Sequence, residues 1–355
     1  MTEREPVDPP SSTVLPEGGE GEPFSLSVPL RNVKPVDLEG KPIPRSKHWG
    51  YQPTSWTNTP LKTFTFDLLL ISTFIAFNSS SLGRDFYDRI LQRYGDLNVR
   101  VWGTFWSTTA FYWFLSSLYA FVDLTGRPGW MFRYKVQPFS YVGPKEYLSI
   151  SLVVLRNQFL VALPLIWLNY HTLDTPVESQ ALPGPWTTLF TILFDILCTE
   201  VGFYYIHRTL HSPSLYQLFH KQHHRYTAPV GLAATYCTVT EHVLSNLLPN
   251  ILGTFLVPHH WSQMMFTFLF LEFGTISTHS GYNLPYLHSP LRHDYHHASF
   301  DQNYGPTGLL DSLHGTSDRF LSTLRQATER NGGDQDLARA EILRNLAALE
   351  CSVSS

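Results

Sequence analysis

The chain has 355 residues and a formal net charge of −4, with 25 Lys and Arg against 29 Asp and Glu. A weakly acidic chain without a basic tract gives no reason to expect a nucleic-acid partner. Hydrophobic residues make up 43% of the chain, and they are concentrated in long blocks. This distribution is typical of an integral membrane protein.

Residues 1–60 are rich in Pro, Gly, Glu and Ser and have little apolar periodicity. This composition predicts a disordered or loosely ordered N-terminal tail. Because the first residues include Glu3, Glu5 and Asp8 and no apolar run, we do not expect a cleaved signal peptide. Membrane insertion would then depend on later segments.

Four apolar blocks follow, and the last three approach the ~20 residues that a helix needs to cross hydrocarbon. They cover residues 64–77, 101–122, 147–168 and 186–206. The first two blocks predict N-terminal membrane helices within residues 61–145. Arg156, Asp195 and Glu200 interrupt the later blocks. Since charge at membrane depth is costly, each should face protein or a polar cavity, and Arg156 fits an ion pair or a functional role equally well.

A fifth apolar stretch, residues 243–278, is interrupted by Pro249 and Pro258. Its first part is too short to cross, so we predict a re-entrant hairpin that turns near Pro258. The predicted fold is therefore an all-α integral membrane helical bundle. It has about four spanning helices, the hairpin and a histidine-rich metal-binding cap.

Charge in the connecting segments bears on orientation. The connector at residues 169–185 has no Lys or Arg, whereas residues 123–146 and 207–225 have several. The positive-inside rule therefore predicts that the cap faces the cytosol. Residues 81–100 carry four arginines yet would lie on the opposite side. Their alternation with aspartates predicts an amphipathic surface helix.

Eight histidines form three tight groups, H-R-T-L-H, H-K-Q-H-H and H-D-Y-H-H. They are His207, His211, His220, His223, His224, His293, His296 and His297. Residues three and four apart share a helix face, so each box should point its imidazoles one way. Neutral imidazole suits iron, zinc and copper. Eight ligands are too many for one ion with open positions, which predicts two ions.

A Ser-Pro pair precedes each of the last two boxes, at Ser212-Pro213 and Ser289-Pro290. Pro favours the first turn of a helix, and Ser favours its N-cap. We therefore expect two similarly built helices, each bearing H-x2-H-H, to clamp the ions symmetrically.

Residues 147–319 resemble the fatty acid hydroxylase and sterol desaturase superfamily of membrane di-iron oxygenases, through the three boxes in this order. The stretches T-E-H-V-L-S-N-L-L-P at 240–249, H-S-G-Y at 279–282, N-Y-G at 303–305 and L-D-S-L-H-G-T at 310–316 are most similar to the fatty acid hydroxylase domain-containing proteins that group with C4-methylsterol oxidases. Residues 146–319 are thus predicted to be the catalytic domain, and residues 320–355 a soluble C-terminal tail.

The resemblance implies a multi-pass protein of the endoplasmic reticulum membrane that uses two iron ions and O2. It implies electrons from NAD(P)H through cytochrome b5 or its reductase, and zinc is expected to compete for the sites in isolated protein. By the same resemblance, the eight box histidines match metal ligands. His279 matches a further histidine that often completes the cage.

One departure stands at Cys237-Thr238-Val239, where many sterol oxidases of the family read Ala-His-Pro. Neighbouring His242 either supplies that imidazole or is an ordinary helix-face residue. Three carboxylates near the motifs either orient imidazole N–H groups or serve as caps and surface residues. They are Glu241, Asp294 and Asp311. The remaining histidines, His48, His171, His259, His260, His288 and His314, are not expected to be ligands.

An unactivated C–H bond offers no acidic proton, so its oxidation needs a metal-bound oxidant. The leading prediction is a mono-oxygenase that hydroxylates or successively oxidises a sterol-like lipid, with C4-methyl oxidation first. The alternatives are a fatty-acyl or sphingoid hydroxylase or desaturase and a terpenoid-tailoring hydroxylase. A non-catalytic metal-binding membrane protein is a further alternative. Retention of all eight box histidines argues against it.

Overall fold

The computed structural model describes residues 36–37, 60–137, 140–333, 338 and 342. The predicted N-terminal tail, residues 1–60, lies outside the described residues apart from 36, 37 and 60.

The described part of the chain is mostly helical, as predicted. Its α-helices are α1 (Pro60–Ser79), α2 (Ser81–Tyr94), α3 (Thr104–Thr125), α4 (Pro144–Asn157), α5 (Leu163–Thr172), α6 (Pro185–Leu210), α7 (Pro213–Leu215), α8 (Val239–Glu241), α9 (Leu248–Leu256), α10 (Trp261–His279), α11 (Leu291–Ser299), α12 (Leu309–His314) and α13 (Asp318–Arg330). Four π-helical segments lie at Asn98–Gly103, Gln158–Ala162, Tyr216–His220 and His242–Leu247. Short 3₁₀ turns lie at Gly129–Tyr134, Ser179–Ala181, His223–Arg225 and Gly231–Thr235. Two two-residue strands, β1 (Val36–Asp37) and β2 (Ser140–Tyr141), pair in parallel.

Three described helices are long and apolar enough to cross a membrane: α1, the continuous α4–α5 unit and α6. The α4–α5 unit runs through its π segment from Pro144 to Thr172. The predicted second crossing corresponds to α3, which has 22 residues but is rich in Ser, Thr and Tyr and is not among the three. Length and composition therefore support three of the four predicted crossings.

The arginine-rich stretch after α1 forms α2, the predicted amphipathic helix. The Ser179 backbone N–H and hydroxyl donate to the Asp88 carboxylate at 2.8 and 2.6 Å. This contact places α2 beside the connector that lacks Lys and Arg, at the end of α6 opposite His207. Basic residues thus lie at both ends of the bundle, so charge counting alone does not assign its orientation.

The predicted hairpin is present as α9 and α10, with the chain turning at residues 257–260. At the turn, His259 Nε2 lies 2.9 Å from the Asp195 carboxylate of α6, and the Thr267 hydroxyl donates to that carboxylate at 3.1 Å. Gly253 allows this approach, since a Cβ there would lie 2.0 Å from Asp195 Oδ1. Asp195 therefore faces protein, as predicted, and holds the hairpin against α6.

The other two charges in the apolar blocks also face protein. Arg156 donates to the Cys237 carbonyl at 2.7 Å, and no carboxylate of the described residues pairs with it. Glu200 accepts from the backbone N–H groups of Thr307 and Leu310 at 2.8 and 3.0 Å. Both side chains hold backbone segments that lead to the histidine-rich region.

A buried hydrogen-bond network joins the hairpin to the segments around it. The Asp123 carboxylate accepts from Lys135 Nζ at 2.6 Å and from the hydroxyls of Tyr147 and Tyr282 at 2.7 Å each. These residues come from the end of α3, the next loop, α4 and the chain just after α10. The start of the path from α10 to the third histidine box is thereby held in place.

Candidate metal centre

The structure brings nine histidines, the eight of the boxes and His279, into two adjacent groups. Within each group the candidate ligand nitrogens all lie within 4.8 Å of one another. Group one consists of His207, His211, His220, His224 and His296. Group two consists of His223, His279, His293 and His297.

Helical spacing explains how the boxes divide between the groups. Each pair spaced i,i+4 shares a group: His207 with His211, His220 with His224, and His293 with His297. The remaining histidine of each H-x2-H-H box lies on the other side, because adjacent helical residues diverge by about 100°. The expectation that each box points all its imidazoles one way is therefore wrong. Instead, His223 of the second box lies in group two, and His296 of the third box lies in group one.

The two Ser-Pro boxes are built differently from each other. The second box leaves α7 through the π segment Tyr216–His220 and continues in the 3₁₀ turn His223–Arg225. The third box lies on a regular helix, α11. Pro213 opens α7 as predicted, with Ser212 at its N-cap. The expectation of two similarly built helices is therefore wrong: only the third box lies on a regular helix, and there Pro290 rather than Ser289 is the N-cap.

Backbone carbonyls orient several rings. The Nδ1 atoms of His207, His296 and His279 lie 2.7, 2.7 and 2.8 Å from the carbonyl oxygens of Tyr304, Gln302 and Thr275. A carbonyl can only accept, so each Nδ1 carries the proton and each Nε2 presents a lone pair.

The Nε2 atoms converge at short distances in both groups. In group one, His224 Nε2 lies 3.0 Å from His220 Nε2 and 3.2 Å from that of His296. In group two, His293 Nε2 lies 2.9 Å from those of His279 and His297. Nitrogens at about 2.1 Å from one metal ion are roughly 3.0–3.4 Å apart at octahedral to tetrahedral angles. Facing lone pairs repel without a cation between them, so these side chains fit a metal ion in each group.

Burial keeps the imidazoles in the neutral form, which binds metal. Burial is the largest cause of a pKa well below the ordinary value of 6.5, and neighbouring imidazoles lower the pKa further. This holds for the box histidines that follow α6 in the chain. They are His211, His220, His223, His224, His293, His296 and His297. Neutral imidazole is a ligand for iron, zinc and copper.

Glu241 lies against both groups. Its Oε1 accepts from His220 Nδ1 at 2.9 Å and lies 4.0 Å from His223 Nδ1. Its Oε2 is buried without a hydrogen-bond partner among the described residues. Burial raises the pKa of this carboxyl well above its ordinary value, and a nearby cation would lower it again.

Asp311 acts on the loop that holds His207. Its carboxylate accepts from the backbone N–H groups of Tyr304 and Gly305, both at 2.8 Å, and from the Thr316 hydroxyl at 2.7 Å. Asp311 therefore contacts the loop and not an imidazole. It positions the Tyr304 carbonyl that accepts from His207.

Asp294 is buried on α11 between two box histidines. Its Oδ2 accepts from Gln137 Nε2 at 3.1 Å, while Oδ1 has no described hydrogen-bond partner. Burial raises the pKa of Asp294 to about 7. Gln137 also donates to the Thr227 carbonyl at 3.1 Å, so it joins the third box to the loop after the second. No local sequence pattern marks Gln137, because its partner Asp294 lies 157 positions away in the chain.

The structure does not bring His242 into either group, and its Nδ1 lies 3.3 Å from Asn246 Nδ2. Thr238 is the N-cap of α8, accepting from the Glu241 N–H and donating to the Phe219 carbonyl. His171, His259, His260, His288 and His314 also lie outside the two groups, and His48 lies outside the described residues.

The comparisons with known proteins agree with the family resemblance of the three histidine boxes. Residues 192–316 match the model of the fatty acid hydroxylase family. A fatty acid hydroxylase of Mycosarcoma maydis is 33% identical over 313 residues, which cover 86% of this chain and 80% of that protein. The chain belongs to the fatty acid hydroxylase family. No solved structure matches it significantly.

Other relatives carry two kinds of name. Fatty acid hydroxylase domain-containing protein 2 of Homo sapiens is 38% identical over 226 residues, 62% of this chain and 67% of that protein. Methylsterol monooxygenase 1 of Danio rerio is 30% identical over 256 residues, 66% of this chain and 83% of that protein. Family and relatives together indicate an oxygenase or hydroxylase with membrane helices.

Proposed function

We propose that this protein is a membrane-bound di-iron mono-oxygenase that oxidises a sterol-like lipid, with C4-methyl oxidation of a sterol as the leading reaction. The observation that carries the proposal is the pair of buried histidine groups, in which lone pairs on Nε2 converge. We assign all nine histidines as metal ligands, within a catalytic domain at residues 146–319. Membrane helices within residues 61–145 and a C-terminal segment at residues 320–355 flank it.

When bound, iron would supply the O2-derived oxidant that an unactivated C–H bond requires. The chain's own residues orient the histidine rings. Carbonyls of Tyr304, Gln302 and Thr275 fix the ring tautomers, and Glu241 orients His220. Burial excludes water, which would otherwise compete with a lipid for the site.

The substrate assignment rests on the motif stretches that resemble methylsterol oxidases and on relatives named methylsterol monooxygenase and C-4 methylsterol oxidase, each 30% identical. A fatty-acyl or sphingoid hydroxylase is the second candidate, because the Mycosarcoma maydis relative is named a fatty acid hydroxylase.

Lipid analysis of cells that lack the protein tests both candidates. Accumulated 4-methyl sterols, relieved by the wild-type protein but not by His296→Ala, would support the sterol reaction. Normal sterols with depleted hydroxylated acyl or sphingoid lipids would support the second candidate. If neither class changes and the purified protein consumes no O2 with any lipid extract, the oxygenase proposal fails.

We place the protein in the endoplasmic reticulum membrane with both histidine groups on the cytosolic side, where cytochrome b5 or its reductase would deliver electrons from NAD(P)H. Cysteine substitutions at Ser212 and Ser289 test this orientation in sealed microsomes. Labelling by an impermeant reagent without permeabilisation supports it. Labelling only after permeabilisation would reverse it.

A further inference from the structure

One face of α6 is apolar and exposed along almost its whole length. Its residues recur every three or four positions, as Trp186, Phe190, Leu193, Leu197, Val201 and Tyr205. The next exposed positions, Arg208 and Thr209, are polar. This face, which we call the α6 stripe, therefore ends at Tyr205.

The length of the stripe matches a bilayer. The twenty residues from Trp186 to Tyr205 are separated by nineteen steps of about 1.5 Å and span about 28 Å, close to the roughly 30 Å of a hydrocarbon core. An aromatic residue stands at each end, as at membrane interfaces. The bilayer boundary thus falls near Tyr205, two residues before His207 of group one.

The short helix α12 lies beside this boundary. Its N-terminal end is held by Glu200, which accepts from the Leu310 N–H at 3.0 Å. At its C-terminal end, His314 Nε2 lies 2.9 Å from the Tyr205 hydroxyl, and its ring stacks on Tyr204. The helix therefore runs alongside the last turns of the α6 stripe.

The outer face of α12 carries two leucines and the exposed Ser312, whose hydroxyl donates to the Gly308 carbonyl at 2.9 Å. Leu309 and Leu313, spaced i,i+4, are 59% and 74% exposed, whereas Leu310 and Asp311 are buried. Transfer of such exposed leucine side chains from water into an apolar environment is favourable. Their surface continues from the α6 stripe through the contact between Tyr205 and His314.

We propose that α12 is an interfacial membrane element, with Leu309 and Leu313 inserted into the lipid leaflet that Tyr205 reaches. Apolar faces of interfacial helices lie about 5–10 Å into the boundary between headgroups and acyl chains. Because Asp311 on the buried side of α12 holds the loop of Tyr304, the bilayer would support the loop that positions His207. The inference uses the membrane location on which the proposed function also rests.

Probe depth tests the proposal in the full-length protein reconstituted into phosphatidylcholine vesicles. A Cys351→Ser background keeps Cys198 and Cys237, which are buried. Bimane is attached through Leu313→Cys, with Val201→Cys on the α6 stripe as the lipid-facing control and exposed Gln326→Cys on α13 as the water-facing control. Quenching is measured with lipid brominated near the headgroup and with aqueous iodide.

We expect brominated lipid to quench the Leu313 probe at least half as strongly as the Val201 probe, and iodide to quench it less than the Gln326 probe. Weaker quenching by lipid overturns the proposal. Strong quenching by iodide would show that the face with Leu309 and Leu313 is in water. Quenching by neither reagent would show that a protein surface covers this face. Leu309→Cys repeats the test if Leu313→Cys misfolds. The readout is depth and not turnover, so its failure leaves the proposed oxidation standing.

Discussion

Glu241 Oε1 accepts a hydrogen bond from His220 Nδ1 at 2.9 Å, and the same oxygen lies 4.0 Å from His223 Nδ1. His220 belongs to group one and His223 to group two. One buried carboxylate thus lies beside both groups: it is hydrogen-bonded to His220 Nδ1, whereas His223 Nδ1 is buried without a hydrogen-bond partner among the described residues.

Glu241→Ala is expected to weaken metal binding, at group one most, because His220 of that group is hydrogen-bonded to this carboxylate. Loss of a carboxylate that orients a ligating imidazole commonly costs about 10–100-fold in affinity. Glu241→Gln retains an acceptor oxygen and should be milder. Chelator competition measures both effects, with exposed Glu329→Gln as the control. An unchanged metal affinity in Glu241→Ala would contradict the role of this carboxylate in orienting a ligating imidazole.

His296→Ala and His223→Ala are expected to abolish turnover with different metal losses. His296 lies in group one and His223 in group two, so each variant should lower the metal content from two ions towards one. Elemental analysis of protein purified from membranes measures this, and exposed His171→Ala should retain both ions. Full turnover in either group variant would contradict the ligand assignment.

Asp311→Ala should affect group one before group two. It removes the acceptor for the N–H groups of Tyr304 and Gly305, at about 1–3 kcal/mol for each polar group left unsatisfied in the interior. The freed loop would no longer hold the Tyr304 carbonyl on His207. Thermal unfolding and metal content are the measurements. Exposed Asp174→Ala is the control, and loss of metal from group two alone would refute the loop's role.

Asp195→Leu is expected to destabilise the hairpin by about 3–5 kcal/mol, because it leaves a buried His259 without its partner. The double variant Asp195→Leu, His259→Leu should recover part of this loss, since no lone polar group then remains. Thermal unfolding in detergent is measured for four proteins: the wild type, Asp195→Leu, His259→Leu and the double variant. Additive losses would show that the two side chains act independently.

Acid is expected to destabilise the metal-free protein. Burial, with a further contribution from Arg156, lowers the pKa of His242 to about 4, so the unfolded chain binds its proton near pH 6.5 before the folded chain does. This contribution to stability is complete above about pH 6.5 and is lost as the pH falls towards 4. His242→Asn should show a shallower fall in unfolding temperature over that window. An identical slope would exclude His242 as a contributor.

Much of the site was predictable from local sequence. The boxes place histidines three and four positions apart, and the apolar blocks mark α1, α4–α5 and α6 as candidate spans, because helix periodicity and bilayer thickness act over short stretches of chain. The hairpin turn near Pro258 was also predictable, since the apolar run before it is too short to cross. These features need no knowledge of distant contacts.

Helical spacing sets the histidines of each box on two sides, but only the tertiary structure decided which boxes share a group and which polar residues support them. His223 and His296 join the groups of the other box because the 3₁₀ turn His223–Arg225 and α11 lie together in the folded chain. Gln137 reaches Asp294 across 157 positions, whereas His242 stays outside both groups despite its place beside Glu241. Such pairings depend on the packing of distant segments, because a hydrogen bond forms only where atoms lie within about 3 Å, and no local spacing specifies that.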